Sequence, residues 1–172
     1  MLKLKILILF CLFFISKNTI LFAQENICNS SDNLEKLIDK AYLFDENNPQ
    51  PTIECAMILI DKHDHPEGYG WLGFLYFNGH GLAVDYIKAL ENLEIASLKG
   101  DGYSTDLLND IYSKGIYSDG KIHVKQDYKK AFSYAELAND QNYFDPIDLA
   151  DAYYYGLGVE KNYQKSFDLL YR

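Results

Sequence analysis

The feature that most constrains this chain is that it repeats itself. With an offset of 36, Leu72, Gly73, Leu75, Tyr76 and Gly79 fall on Leu108, Asn109, Ile111, Tyr112 and Gly115. With an offset of 77 they fall on Leu149, Ala150, Ala152, Tyr153 and Gly156, and Gly81 falls on Gly158. The segment that follows recurs too, as "DYIKAL" at 85–90, "DYKKAF" at 127–132 and "NYQKSF" at 162–167. The middle copy carries six extra residues within "IYSDGKIHVKQ". A fainter copy comes first, with Ile38, Ala41, Tyr42 and Cys55 in the places of Leu72, Leu75, Tyr76 and Ala89. There Asp45 and Asn47 replace the glycines, and Pro49 and Pro51 are expected to break the chain before a second helix. Self-similarity at such a period marks a repeat architecture, not one compact core with a single motif.

Each unit reads as helix, short loop, helix. In the clearest copy the spacing predicts a first helix over about 67–78, with Leu72, Leu75, Tyr76 and Trp71 towards its apolar face. Gly73 leaves room for a neighbouring helix. Gly79 suits the left-handed residue that ends a helix, and Gly81 lets the chain reverse. Asp85 stands where a second helix begins, its carboxylate facing the positive end of the dipole. Ala89, Leu93 and Ala96 then form a stripe for the packing seam, and Gly100 closes the helix. In the later copies Tyr112, Gly115 and Ala131, and then Tyr153, Gly156 and Gly158, hold the corresponding structural positions. One such hairpin cannot bury both faces, so stacked neighbours must.

The combination Leu72-Gly73, Leu75-Tyr76, Gly79-x-Gly81, Asp85-Tyr86, Lys88-Ala89, Ala96 and Gly100 resembles the Sel-1-like repeat, a relative of the tetratricopeptide repeat. The variable loop between helices fits that kind better than the fixed tetratricopeptide unit. The resemblance implies an all-α fold, a right-handed α-solenoid of stacked helix-turn-helix repeats. The units expected are a degenerate repeat at 33–66 and repeats at 67–101, 102–143 and 144–172. The middle copy lacks the second glycine, and the last stops at Arg172 partway through its second helix.

The first residues obey another pattern. Lys3 and Lys5 precede an apolar run from Ile6 to Ile15, and Ala23 follows at a plausible cleavage point. We read 1–23 as a secretory signal peptide and 24–32 as a linker. The competing reading is an uncleaved anchor reaching Ala23. Cleavage removes three lysines and no acid, which deepens the net charge from −9 to −12. A chain so acidic repels nucleic acid and, once the leader is gone, anionic membranes; it favours a basic protein or peptide. Cys11 leaves with the leader, so Cys28 and Cys55 remain. In an oxidising compartment such a pair points to one disulfide; the alternative is two separate thiols, Cys55 being a small buried residue.

Chemistry-bearing motifs are sparse. The Gly-x-Gly loops follow no strand and lead into no Walker-type Lys-Ser/Thr, so they read as hairpin bends. "KHDHPEG" groups His63, Asp64, His65 and Glu67, but in a loop between repeats and without helical pairing of the histidines. We assign no metal and no cofactor. His80 and His123 have no obvious partner in the sequence. No nucleophile, base and acid converge, and no catalytic residue is assigned. Some cysteine-rich members of the resembled family are linked to β-lactam binding or hydrolysis; they pair cysteines in repeat after repeat, unlike this chain.

Solenoids of this kind usually line a concave side with their first helices. The positions off the packing seam there are Trp71, Phe74 and Phe77, then Leu107, Asp110 and Ser113, then Asp148, Asp151 and Tyr154. The expected partner-binding residues are Trp71, Phe74, Phe77, Asp110, Asp151 and Tyr154, with the insertion around "SDG" as another contact. The function this implies is an exported, non-catalytic scaffold or adaptor that binds a partner on its concave surface. The alternatives are a periplasmic inhibitor or immunity-type protein directed at a toxic enzyme, and a β-lactam-binding hydrolase.

Overall fold

The computed structural model describes residues 28–141 and 146–171. The expected leader and residues 24–27 of the expected linker lie outside the described residues, as do residues 144 and 145 of the last expected repeat and Arg172. The described elements run α1 Leu34–Ala41, α2 Gln50–His63, α3 Pro66–Asn78, α4 Tyr86–Leu98, α5 Gly102–Lys114, β1 Ile116–Ser118, β2 Lys121–Val124, α6 Tyr128–Asp140, α7 Ile147–Tyr155 and α8 Tyr163–Leu170. Consecutive helices pack on one another, and α3 also reaches α5 two helices on. This is an all-α solenoid of stacked helical hairpins. Its interior is a series of local cores, as repeat proteins require. Leu37, Ala41, Cys55 and Leu59 form the first; Leu93, Leu108, Ile111, Tyr112 and Ala131 the second; Ala135, Leu149, Ala150, Tyr153 and Leu169 the third.

The seam in the clearest unit follows the small-residue stripe. Ala89, Leu93 and Ala96 are fully buried. A Cβ at Gly73 would meet Leu93 Cγ at 2.7 Å, so glycine is what lets α3 and α4 close on each other. The loop ahead of each second helix is held by a recurring clasp. Asp85, Asp127 and Asn162 share φ between −144° and −147° and ψ near 92°, and each side chain accepts backbone N–H groups of the first helical turn. The backbone N–H of the same residue donates to the carbonyl of Tyr76, Tyr112 or Tyr153, at 3.1, 2.8 and 2.8 Å. Lys88, Lys130 and Lys165 then set their ammonium groups 5.2, 4.6 and 4.8 Å from the ring centres of those same tyrosines.

The six-residue insertion sits inside the clasp without disturbing it. It folds into an antiparallel hairpin, the one strand pair among the described residues. Asp119 and Gly120 turn it with φ of 51° and 71°, the positive pair that a tight hairpin loop needs. Val124 from its second strand joins the second core. Pro51 behaves differently from expectation. It lies in the first turn of α2, where its missing N–H costs nothing, and so it starts that helix instead of standing before it. Asp45 does make a turn, its carboxylate accepting the Asn47 N–H at 2.9 Å. Cys28 and Cys55 are joined by a disulfide with Cα atoms 5.1 Å apart, tying the segment ahead of α1 to α2.

Candidate binding surface

Two clefts open along the first helices. The first is built on α3, whose entry is set by Pro66 at its first turn and whose exit is set by Gly79 in the left-handed conformation. Trp71 and Phe74, three residues apart, project on one side of the helix with ring centres 5.8 Å apart, edge to face. The α1–α2 loop supplies Phe44, 5.7 Å from Trp71 and 5.6 Å from Phe74, and Tyr42 adds an edge contact to Trp71 at 5.6 Å. His80, from the α3–α4 loop, stacks on Phe74 at 5.9 Å. With Tyr103 of α5, the rings of Tyr42, Phe44, Trp71 and Phe74 wall a cleft of about 230 Å³. Trp71 also packs against the first core, so it serves as core and as wall.

The floor of this cleft is acidic. Glu67 and Asp101 both line it, and no lysine or arginine does. Asp101 caps α5, accepting the Ser104 N–H at 2.8 Å. Glu67 Oε2 is buried with no hydrogen-bond partner, and so is Ser104 Oγ. Burial first, and the charge of Asp101 second, push the Glu67 carboxyl above the ordinary carboxylate range. A Cβ at Gly70 would come within 3.0 Å of Ser104 Oγ and 3.1 Å of Asp101 Oδ2, so the glycine keeps the floor open.

The second cleft lies between α5 and α7 and holds about 260 Å³. Asp110, Ser113, Lys114, Asp148 and Asp151 line it, with Phe132 behind. Lys114 pairs with Asp110 at 2.7 Å. Asp106, half-buried beside the groove, is pushed up by burial and then by the charges of Asp148 and Asp110.

The structure thus brings Trp71 and Phe74 together, and Asp110 and Asp151 together, in separate places. Phe77 is half-buried against the second core and Tyr86, 5.8 Å away, and lines neither cleft. Tyr154 is exposed and clusters with Tyr155 and Tyr163 at 4.9 and 5.2 Å. Sequence reasoning did not reach Phe44, Asp101 or Tyr103, and it met Tyr42 only as a repeat position and Glu67 only as a member of the "KHDHPEG" group. Tyr42 and Phe44 sit just past the first helix of the fainter copy, which is the available hint.

The "KHDHPEG" stretch is mostly helical, with only Asp64 and His65 between α2 and α3. Its members separate: Asp64 accepts from Lys99 at 2.6 Å and Tyr69 at 2.8 Å, while Glu67 turns into the cleft. His123 meets Ser118 Oγ at 2.9 Å and the Tyr86 ring at 4.9 Å. No helix among the described residues is long and apolar enough to cross a membrane.

Solved structures with the same arrangement exist. One is a protective antigen present in uropathogenic Escherichia coli strains and displaying an SLR fold. It is 24% identical with a TM-score of 0.63, over 78% of this chain and 29% of that one. Another is a Sel1 repeat protein from Oxalobacter formigenes, 18% identical with a TM-score of 0.64, over 80% of this chain and 56% of that one. The chain therefore spans less than two thirds of the length of either. No curated protein matches it in sequence. The family profile of the Sel1 repeat matches residues 66–101, 115–143 and 147–172, more than half of the chain. With three repeats matched over more than half of its length, the chain belongs to the Sel1 repeat family.

Proposed function

We propose that this protein is an exported, non-catalytic scaffold that holds a basic protein or peptide along its first-helix surface. Sel1 repeat proteins are in general protein–protein interaction scaffolds, which gives the broad class. The observation that carries the finer reading is the pairing of an aromatic cleft with an acidic groove, both bordered by α5. One side chain of the partner anchored beside Trp71 and Phe74 would leave basic flanks facing Asp110 and Asp151, and the unequal clefts would set its direction. Export is supported by the leader pattern and by the Cys28–Cys55 disulfide, which suits an oxidising compartment.

Affinity capture with the disulfide-bonded protein tests this, using envelope and culture-medium fractions of the source cells. The expected result is a basic protein that is retained at low salt, is released as salt rises, and is lost with Phe74→Ala or with Asp110→Asn plus Asp151→Asn. Retention that ignores both sets of substitutions, or no retained protein at all, would refute the reading.

A further inference from the structure

The aromatic cleft is too small for a typical drug-sized ligand, whose pockets run from roughly 300 Å³ upward. At about 230 Å³ it suits one long side chain. Its walls are the ring faces and edges of Phe44, Trp71 and Phe74, and its floor carries Glu67 and Asp101. A neutral apolar occupant would leave Glu67 Oε2 buried without a partner, a desolvation cost with no return. A cation would satisfy that oxygen, offset the repulsion between the two carboxylates and face the negative side of the rings. Arginine fits better than lysine. Its planar guanidinium stacks on aromatic faces and forks its donors toward oxygen acceptors, whereas an ammonium is a compact and strongly hydrated charge.

Building on the scaffold reading above, we infer that this cleft is an arginine socket. A guanidinium from the partner stacks within the Trp71–Phe74–Phe44 walls and donates to Glu67 and Asp101. Ser104 Oγ, fully buried and unpartnered, lies behind Gly70, which lines the floor.

Trp71 is the only tryptophan in the chain, so its emission reports on this cleft and on the first core behind it. The whole protein is titrated with acetyl-arginine amide, with the neutral acetyl-citrulline amide, and with acetyl-lysine amide. The expected result is a saturable change with the arginine probe and binding about tenfold weaker for citrulline, with lysine in between. Glu67→Gln, nearly isosteric, and Asp101→Asn, which can still cap α5, should each weaken the arginine probe about fivefold or more without lowering the melting temperature. Citrulline or lysine binding as well as arginine would overturn the inference, and so would variants that bind as tightly as the parent. The partner capture separates the two readings. A basic partner held equally by the parent and by Glu67→Gln sinks the socket and leaves the scaffold. Charge-dependent arginine binding with no captured partner leaves the socket and sinks the scaffold.

Discussion

The two clefts stand on the same backbone and differ in almost everything else. The aromatic one is walled by rings from α1–α2, α3 and α5, with carboxylates at its floor. The acidic one, between α5 and α7, is lined by aspartates and one paired lysine. Repeat geometry decides where such clefts occur; the residues off the packing seam decide what they hold. The N-terminal cleft is also braced by a disulfide, and the C-terminal groove is not. Their stabilities should therefore be separable.

Replacing Cys28 and Cys55 together by alanine should have the largest effect. A cross-link spanning 27 residues is worth about 3–4 kcal/mol in the chain-entropy account, and denaturant unfolding would measure the loss. Hydrogen exchange should rise in α1 and α2 and stay nearly unchanged in α6 to α8. Equal loosening of both ends would break the picture of local cores.

Gly158→Ala is the converse experiment. At φ of 75° a Cβ would come within 1.9 Å of the Tyr128 carbonyl, so the loop between α7 and α8 must leave the start of α6. A loss of about 2–3 kcal/mol is expected, with the acidic groove distorted and the Trp71 emission unmoved.

Between the clefts lies a network that titrates. Tyr112 donates to Glu94 at 3.1 Å, Lys130 donates to Tyr112 at 3.3 Å, and Tyr134 stacks on Tyr112. Burial first and Glu94 second push both phenols up to about 12. Below pH 10 both states keep these protons; between 10 and 12 only the unfolded chain releases them, so stability should fall as pH rises through that window. Phenolate absorbance should show Tyr112 and Tyr134 among the late-titrating tyrosines, and Tyr112→Phe should remove one of these and cost about 1 kcal/mol.

The smallest effect belongs to Asp106→Asn. Asp106 is raised by burial and by its acidic neighbours, so its ionised form opposes folding. The variant should melt slightly higher than the parent at neutral pH and low salt, and the gain should vanish as acid protonates Asp106 in the parent. A lower melting temperature would mean that the carboxylate is structural and not merely repelled.

The solenoid was legible because each unit repeats its own instructions. Ala89, Leu93 and Ala96 announce a seam at helical spacing, and Gly73 announces the close approach to it. The cleft was legible only in part, because its walls come from three helical hairpins. Trp71 and Phe74 share a helix, so their spacing exposes them. Phe44, Asp101 and Tyr103 reach them only through stacking, which no local pattern records. Phe77 shows the limit from the other side. It is as aromatic as Phe74 and three residues away, yet the hairpin insertion and Tyr86 lie over on its side of α3.

The tyrosine clasp has a practical reach. In the outer two of these repeats it closes over a short loop, and in the middle one over six further residues, folded as a hairpin from Ile116 to Val124, with the Asp127–Tyr112 hydrogen bond still at 2.8 Å. A joint that shuts equally well over loops of different length is a natural grafting point. Foreign peptides spliced at Asp119–Gly120, where a Cβ at Gly120 would meet nothing within 4 Å, should be displayed on the solenoid without unpicking its stack, whereas the bends at Gly79–Gly81 and Gly156–Gly158 pack too closely on their neighbours to take one.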